Sequence, residues 1–258
     1  MKVLVQGKNP RFVSEALEIL RKYEVEISDD PDILISIGGD GSTLYNYKKF
    51  RKPILPVRTF ESLGYISDLG IENFEGACEN LVKGLFYVEK RLVLDVYKNN
   101  SKIGFAINDV TIMQVPKEAM RYGVYANGKA LFGFEKIMGD GIIIATPTGS
   151  TGYNRSAGGY ILETPDKIVV TLRYPVFHES QQERSKILDE NSVIELKFYR
   201  PEEAFMVIDI DFLKVKYSDR IVVRKSHETF NLVRIKGMEE DKGSKEKRRI
   251  QWFKEQLF

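Results

Sequence analysis

The stretch LISIGGDGSTLYNY, residues 34–47, sets glycines between an apolar run and a hydroxyl-rich helix start. Glycines adopt backbone angles closed to other residues and let a ligand approach the main chain. We therefore expect Gly38, Gly39, Ser42 and Thr43 to form a phosphate-binding loop. A helix beginning at about Ser42 would add free N–H groups and the positive end of its dipole. A pyrophosphate can be held in this way without the lysine of a Walker-type loop, which is absent here.

Asp40 is the residue that a phosphate site alone does not explain, because bound phosphate repels a carboxylate. Two roles would require it: accepting a proton from an attacking hydroxyl, or holding a Mg²⁺ ion that bridges phosphates. The alternative is a tight strand-to-helix turn in which the aspartate is only a cap. The string GGDG alone leaves these alternatives open.

Two further stretches carry polar groups next to predicted apolar strands. In the first the polar groups follow the end of a strand, and in the second they interrupt one. Residues 139–159, GDGIIIATPTGSTGYNRSAGG, combine five small hydroxyl residues with Tyr153, whose ring offers a flat face for a base or ribose. The hydroxyl residues are Thr146, Thr148, Ser150, Thr151 and Ser156. The pair Asn108-Asp109 interrupts the apolar run AINDVTI, so either a ligand or a structural hydrogen bond must satisfy it. A turn or bulge is the alternative.

The predicted elements that must position these residues change along the chain, from alternating strands and helices to short strands joined by turns. Strands at 3–5, 33–37 and 54–57 alternate with helical patterns, which favours a parallel sheet covered by helices. After Lys83, hairpin signals at Asn99-Asn100 and Asn127-Gly128 separate short strands, the last at 230–235, and indicate an antiparallel domain. The expected architecture is an α/β domain at 1–85, a β-rich, mainly antiparallel and sandwich-like domain at 86–236, and a tail at 237–258. The tail should form a helix that packs back through Ile250, Trp252, Phe253 and Leu257, with a frayed terminus as the alternative.

Composition excludes several classes of function. Lys and Arg number 39 against 37 Asp and Glu in 258 residues, so no strong field points to nucleic acid or a membrane as partner. Cys78 is the only cysteine, which excludes an intrachain disulfide and a cysteine metal cluster. The sequence lacks a signal peptide and an apolar run of about 18 residues, so we expect a soluble, cytoplasmic protein.

Four motifs, in this order along the chain, resemble those of NAD kinases. They are GGDGSTL at 38–44, LGY at 63–65, Asn108-Asp109, and DGIIIATPTGSTGYNRSAGG at 140–159. The first is shared with diacylglycerol and sphingosine kinases and with phosphofructokinases, whereas the last is highly specific. The resemblance implies an α/β amino-terminal and a β-rich carboxy-terminal domain with NAD in the cleft between them. The implied reaction moves a phosphoryl group from ATP or polyphosphate to the 2′-hydroxyl of the adenosine ribose of NAD, giving NADP.

The resemblance also implies roles for single residues. Asp40 matches the proton acceptor, and Gly41 matches a backbone position that contacts the dinucleotide. Tyr65 stands where the family usually has Phe near the adenine. Asn108 and Asp109 match the polar pair that holds the adenosine side, with Asp where many members carry Glu. The segment that lines the adenine and ribose pocket is matched by Thr151, Gly152, Tyr153 and Ser156.

Asp140 matches an aspartate that reaches toward the nicotinamide end, often across a subunit boundary, and the family usually forms dimers or tetramers, so we expect a homo-oligomer. Mg²⁺ or another divalent cation should arrive with the nucleotide phosphates, so no dedicated His or Cys site is expected. The sequence assigns no role to Arg121, His178, Arg184 and Asp211.

Three other functions are alternatives to this one. A lipid or sugar kinase would need a different acceptor pocket, against which the hydroxyl-rich segment argues. A non-enzymatic dinucleotide sensor would not need Asp40. A Rossmann dehydrogenase would need Gly-x-Gly-x-x-Gly after the first strand, and VQGKNP at 5–10 does not supply it.

Overall fold

The computed structural model describes residues 1–115, 118–176 and 183–257. Within them five α-helices are formed: α1 (Pro10–Lys22), α2 (Asp40–Phe50), α3 (Phe74–Val82), α4 (Tyr153–Ser156) and α5 (Lys242–Leu257). Short 3-10 turns lie at Ile71–Asn73 and Gly149–Thr151. Contacts divide the chain into two compact units, the first made of 1–90 with 231–258 and the second of 91–230.

Twenty strands lie in the described residues. In chain order they are β1 (Lys2–Gly7), β2 (Glu26–Ile27), β3 (Ile33–Ile37), β4 (Ile54–Arg58), β5 (Leu69–Gly70), β6 (Phe86–Arg91), β7 (Leu94–Lys98), β8 (Ser101–Ala106), β9 (Asp109–Gln114), β10 (Met120–Ala126), β11 (Lys129–Ala130), β12 (Ile137–Gly139), β13 (Gly141–Ala145), β14 (Lys167–Arg173), β15 (Ser185–Asp189), β16 (Ile194–Arg200), β17 (Glu203–Ile208), β18 (Asp211–Lys216), β19 (Ile221–Lys225) and β20 (Phe230–Ile235).

The first unit is a mostly parallel sheet with strand order β2-β1-β3-β4-β20-β6 and β5 beside β4. All five residues of β3 are buried, as expected for a strand covered on both faces. α1 begins as predicted, because the Asn9 side chain accepts the N–H of Arg11 at 3.1 Å and Pro10 follows it. Since β3 and β4 are parallel, the segments that follow them, 38–39 and 59–68, meet at one edge of the sheet.

The second unit consists of two antiparallel sheets, as predicted. One has the order β11-β10-β16-β19-β7-β8 with β12 beside β10, and the other β15-β14-β13-β9-β17-β18. Side chains of both sheets form one buried cluster, in which Tyr122 of β10 and Ile144 of β13 are fully buried. This cluster gives the unit its sandwich core.

One expectation about the carboxy-terminal part is wrong, and another is confirmed only in part. β20, predicted in the antiparallel domain, pairs in parallel with β4 through Leu232 and Ile54. Its residues 232–235 are all buried, which suits a parallel strand, but the sequence shows no local sign of its partner. The tail forms the expected helix α5, which packs back on the first unit. However, Ile250 and Phe253, two of the side chains expected to dock, are 50% and 44% exposed. No helix in the described ranges is long and apolar enough to cross a membrane.

Candidate active site

Asp40 is the first residue of α2, so this helix begins two residues earlier than predicted. The N–H groups of Ser42 and Thr43 both donate to the carbonyl of Gly39, at 3.1 and 3.2 Å. The donors left without a backbone acceptor in this described turn are therefore those of Asp40 and Gly41, two residues closer to the glycines than expected. The helix dipole still places positive potential at this point.

The Asp40 carboxylate is held by a loop that follows β4. Its Oδ2 accepts the backbone N–H of Tyr65 at 3.0 Å, and its Oδ1 accepts that of Ile66 at 2.8 Å. Burial raises the pKa of Asp40, while these two N–H groups and the charges of Lys245 and Arg248 act in the opposite direction. The carboxyl group is thus fixed in position and made more basic than a solvated aspartate, which suits a proton acceptor.

The glycines around Asp40 differ in what the fold requires. Gly38 has φ of 138°, and a Cβ there would lie 2.8 Å from Oγ of Ser42, so the chain itself needs glycine. A Cβ on the exposed Gly41 would meet nothing within 4 Å. Packing within the protein therefore gives no reason for glycine at 41, whereas the approach of a ligand would.

In the second unit, Asp209 fixes the Asn108-Asp109 pair. Its Oδ1 accepts the N–H groups of Asn108 at 2.8 Å and Asp109 at 3.2 Å, and its Oδ2 accepts that of Ile107 at 2.8 Å. The carbonyl of Asn108 accepts the N–H of Thr146 at 2.9 Å. Structural hydrogen bonds thus satisfy the backbone of the pair, but the buried Oδ1 of Asn108 has no hydrogen-bond partner. A ligand donor would complete this site.

The side chain of Asp109 titrates nearer to physiological pH than a solvated aspartate does. Burial, aided by the nearby negative charge of Asp209, raises the pKa of Asp109 to about 6, although Thr111 Oγ1 donates to its Oδ1 at 2.9 Å. This carboxyl group can therefore change its charge under mild conditions.

The hydroxyl-rich segment lies directly beside Asn108. A Cβ on Gly149 would be 2.2 Å from the carbonyl oxygen of Asn108, so the two backbones touch there. Thr146 and Ser150 are fully buried, and their hydroxyls donate within the protein, to Ile107 O at 2.6 Å and Pro147 O at 2.9 Å. These two hydroxyls therefore stabilise the segment itself. Exposed or half-buried positions are Thr148, Thr151, Gly152, Tyr153 and Ser156.

Asn154, which sequence reasoning missed, organises this segment. It is fully buried, its Nδ2 donates to the carbonyls of Ser150 at 3.2 Å and Tyr160 at 2.9 Å, and its Oδ1 accepts from Thr171 Oγ1 at 2.6 Å. The missed Asp209 lies in the turn IDID, and the missed Arg234 in the apolar strand FNLVRI. The sequence signal for these residues is an isolated charged or amide side chain within an apolar stretch. If such a side chain is buried, it needs a hydrogen-bond or ionic partner.

The remaining predicted residues lie elsewhere. Asp140 precedes β13 while Thr146 follows it, so the strand separates Asp140 from the Asn108 site. The exposed ring of Tyr153 has the Arg173 guanidinium 5.4 Å from its centre. Arg121, Arg184 and Asp211 are exposed, and His178 lies outside the described residues.

Comparison with known proteins gives a consistent result. The model of the ATP-NAD kinase C-terminal domain matches residues 107–235. The NAD kinase of Methanothermobacter thermautotrophicus is 31% identical over 229 residues, which cover 86% of this chain and 79% of that protein. The NAD kinase of Caldanaerobacter subterraneus subsp. tengcongensis is 33% identical over 223 residues, covering 82% and 76%.

Two solved structures share the fold. An NAD kinase from Archaeoglobus fulgidus in complex with ATP has a TM-score of 0.80 at 23% identity, over 96% of this chain and 99% of that chain. Yeast NADH kinase complexed with NADH has a TM-score of 0.79 at 19% identity, over 100% and 87%.

Proposed function

The chain belongs to the NAD kinase family, as its motifs predicted, and from this we propose that it transfers a phosphoryl group from ATP or polyphosphate to the 2′-hydroxyl of the adenosine ribose of NAD. The product is NADP. The observation that supports this reaction best is the Asp40 carboxylate, fixed by two backbone N–H groups next to Gly41, where the chain leaves space.

In the proposed step the ribose oxygen attacks the terminal phosphorus, its proton passes to Asp40, and the bond to the leaving phosphate oxygen breaks. Phosphoryl transfer needs in-line positioning and neutralisation of charge more than covalent work by the protein. The N–H groups of Asp40 and Gly41 at the start of α2 supply part of that neutralisation for phosphate oxygens. The raised pKa of Asp40 favours its acceptance of the proton.

The adenosine side is held, in this proposal, by Asn108 together with Asp109. Oδ1 of Asn108 accepts a hydrogen bond from the adenosine, and Asp109 adds a second acceptor. Tyr65 contacts the adenine, and the pocket is lined by Thr151, Gly152, Tyr153 and Ser156. Asp140 interacts toward the nicotinamide end.

A divalent cation, Mg²⁺ by proposal, is implied for a kinase and would neutralise phosphate charge. Among the described residues, no group of three or more His, Cys, Asp or Glu side chains is arranged to hold a metal ion. We propose that this ion enters with the nucleotide phosphates. A homo-oligomer, dimer or tetramer, and a cytoplasmic location remain predictions, the former measurable by light scattering after size exclusion.

The direct test incubates the purified chain with NAD, Mg²⁺ and either ATP or polyphosphate, with NADH as a second acceptor. NADP is then assayed with a strictly NADP-dependent dehydrogenase. Asp40→Asn should lose most turnover while keeping NAD binding, and Asp29→Asn, an exposed carboxylate on the same unit, should match wild type. If no donor yields NADP although NAD binds, the chain is a dinucleotide sensor and the kinase proposal fails.

A further inference from the structure

The helix α5 carries two basic residues that reach the loop 63–68, whose N–H groups hold Asp40. Lys245 and Arg248 are three residues apart and so lie on the same face of the helix. Lys245 is 7% exposed and places Nζ 2.5 Å from Oδ1 of Asp68. The guanidinium of Arg248 donates to three loop carbonyls, those of Leu63, Gly64 and Ser67.

One peptide group connects Arg248 to the proton acceptor. The carbonyl of Gly64 accepts from Nη1 of Arg248 at 3.4 Å, and the N–H of the same peptide unit, that of Tyr65, donates to Asp40 at 3.0 Å. Hydrogen bonds in such a chain polarise one another, so the cation makes this N–H a stronger donor. The loop backbone therefore transmits the position and the charge of Arg248 to Asp40.

The next residue of the loop is also held on both sides, but through two successive peptide groups. The N–H of Ile66 donates to Asp40 at 2.8 Å, and its carbonyl accepts from Nη1 of Arg234 at 3.0 Å. Arg234, 4% exposed, also lies 2.9 Å from Oδ2 of Asp68, which joins it to Lys245. The N–H groups of the loop thus bind Asp40, and its other polar groups bind four cations, those of Arg58, Arg234, Lys245 and Arg248.

The charges on α5 also act directly on the acceptor. Lys245 and Arg248 lower the pKa of Asp40 and so oppose the effect of burial. The other charged groups packed around the loop are Arg58, Asp68, Arg234 and Glu240. Removing one cation from this set should make Asp40 harder to ionise.

We propose that Arg248 and Lys245 are positioning residues for Asp40, and that they act through the loop 63–68. This inference rests on the proposed function, since it assigns these residues to the proton acceptor of that reaction. Nothing in their sequence context, a tail rich in Lys and Glu, distinguishes them from solvated surface charges.

The test compares kcat as a function of pH for wild type, Arg248→Gln, Arg248→Lys and Lys245→Gln, with Lys247→Gln as control. Lys247 is exposed on the same helix, so its variant removes an equal charge and should match wild type. Arg248→Gln should lower kcat roughly 10- to 100-fold, because small displacements of a reacting group have effects of this size. The acid limb of its profile should move to higher pH, since the pKa of Asp40 rises when the cation is lost.

Arg248→Lys should keep the wild-type acid limb, because the charge remains, and recover only part of kcat, because an ammonium group cannot reproduce the planar fork of donors. Lys245→Gln leaves Arg234 to pair with Asp68 and should shift the acid limb in the same direction as Arg248→Gln. Its pH profile therefore tests the inference independently if Arg248→Gln does not fold. Wild-type kcat and an unshifted acid limb in folded Arg248→Gln and Lys245→Gln would overturn the inference.

A second measurement separates this inference from the proposed function. Carboxyl ¹³C NMR titration of Asp40 should show a higher pKa in Arg248→Gln than in Lys247→Gln, whether or not NADP is formed. If wild type makes no NADP, the proposed function fails, while an unchanged Asp40 titration in Arg248→Gln contradicts the positioning role alone.

Discussion

The carboxylate of Asp209 accepts the backbone N–H of Asn108 at 2.8 Å, across 101 residues of sequence. The same oxygen accepts the N–H of Asp109, and the other accepts that of Ile107. The Asp40 carboxylate likewise accepts the backbone N–H groups of Tyr65 and Ile66. In each unit, then, one carboxylate fixes the backbone of a second segment that carries predicted ligand-binding residues.

Replacing Asp209 by Asn should weaken NAD binding and lower stability together. Asparagine offers one acceptor oxygen to the three N–H groups and turns a donor toward them, and each buried N–H left unsatisfied costs about 1–3 kcal/mol. Calorimetric titration with NAD should show a Kd raised about 10-fold, and thermal unfolding a lower Tm. Asp211→Asn, an exposed neighbour, serves as control. Unchanged affinity and Tm would contradict the anchoring role of Asp209.

NAD binding should weaken as the pH falls through about 6, because Asp109 then loses the charge with which it accepts a hydrogen bond. The same shift has a consequence for folding. Since the folded pKa of Asp109 lies above its unfolded value, its stabilising contribution is present at low pH and is lost as the pH rises through about 6.

The variant Asp109→Asn removes this titration. NAD affinity, measured by calorimetry from about pH 5 to about pH 8, should become flat in the variant, and stability above pH 6 should rise relative to wild type. Glu163→Gln, an exposed acid in the same unit, should retain the wild-type pH dependence. If the affinity of wild type is itself flat over this range, Asp109 does not bind NAD in its ionised form.

Most of the fold was predictable because its signals are local. The Asn9 cap, the fully buried β3 and the turn at Asn127-Gly128 each depend on residues within one element. β20 was misplaced because a short apolar run does not identify its partner strand, and its parallel pairing with β4 depends on Ile54, far along the chain.

The sequence pointed to the residues that are proposed to face a ligand, but not to the residues that hold them in place. Asp40 and Asn108 belong to motifs, whereas Asp209, Arg234 and Arg248 act through backbone groups over 100 or more residues. Backbone atoms are the same in every residue, so the partner of such a side chain leaves no mark in the sequence.

Asn154→Ala should destabilise the second unit by about 2–3 kcal/mol, because its three buried hydrogen bonds would be lost and their partners left unpaired. Chemical denaturation, monitored by far-UV CD, measures this loss. Asn191→Ala, at an exposed turn, should cost much less. A free energy of unfolding equal to that of wild type would show that these bonds contribute little.

The exposed Gly41 tests whether a ligand comes close to the first turn of α2. A Cβ at this position meets no atom within 4 Å, and alanine is favoured over glycine in helices by up to about 1 kcal/mol. Gly41→Ala should therefore leave the free energy of unfolding unchanged or raise it. If the dinucleotide approaches the backbone here, the same methyl group should raise the Kd for NAD, measured by calorimetry, about 10-fold or more, since a clash cannot relax without moving the ligand.

Gly76→Ala is the matched control, because Gly76 lies within α3 and a Cβ there would be 4.0 Å from the end of Met238. This variant should gain stability by the same helix propensity and bind NAD as wild type does. The comparison separates the two effects of one added methyl group. Wild-type NAD affinity in Gly41→Ala would mean that the ligand stays away from this backbone, and the dinucleotide contact assigned to Gly41 would have to be withdrawn.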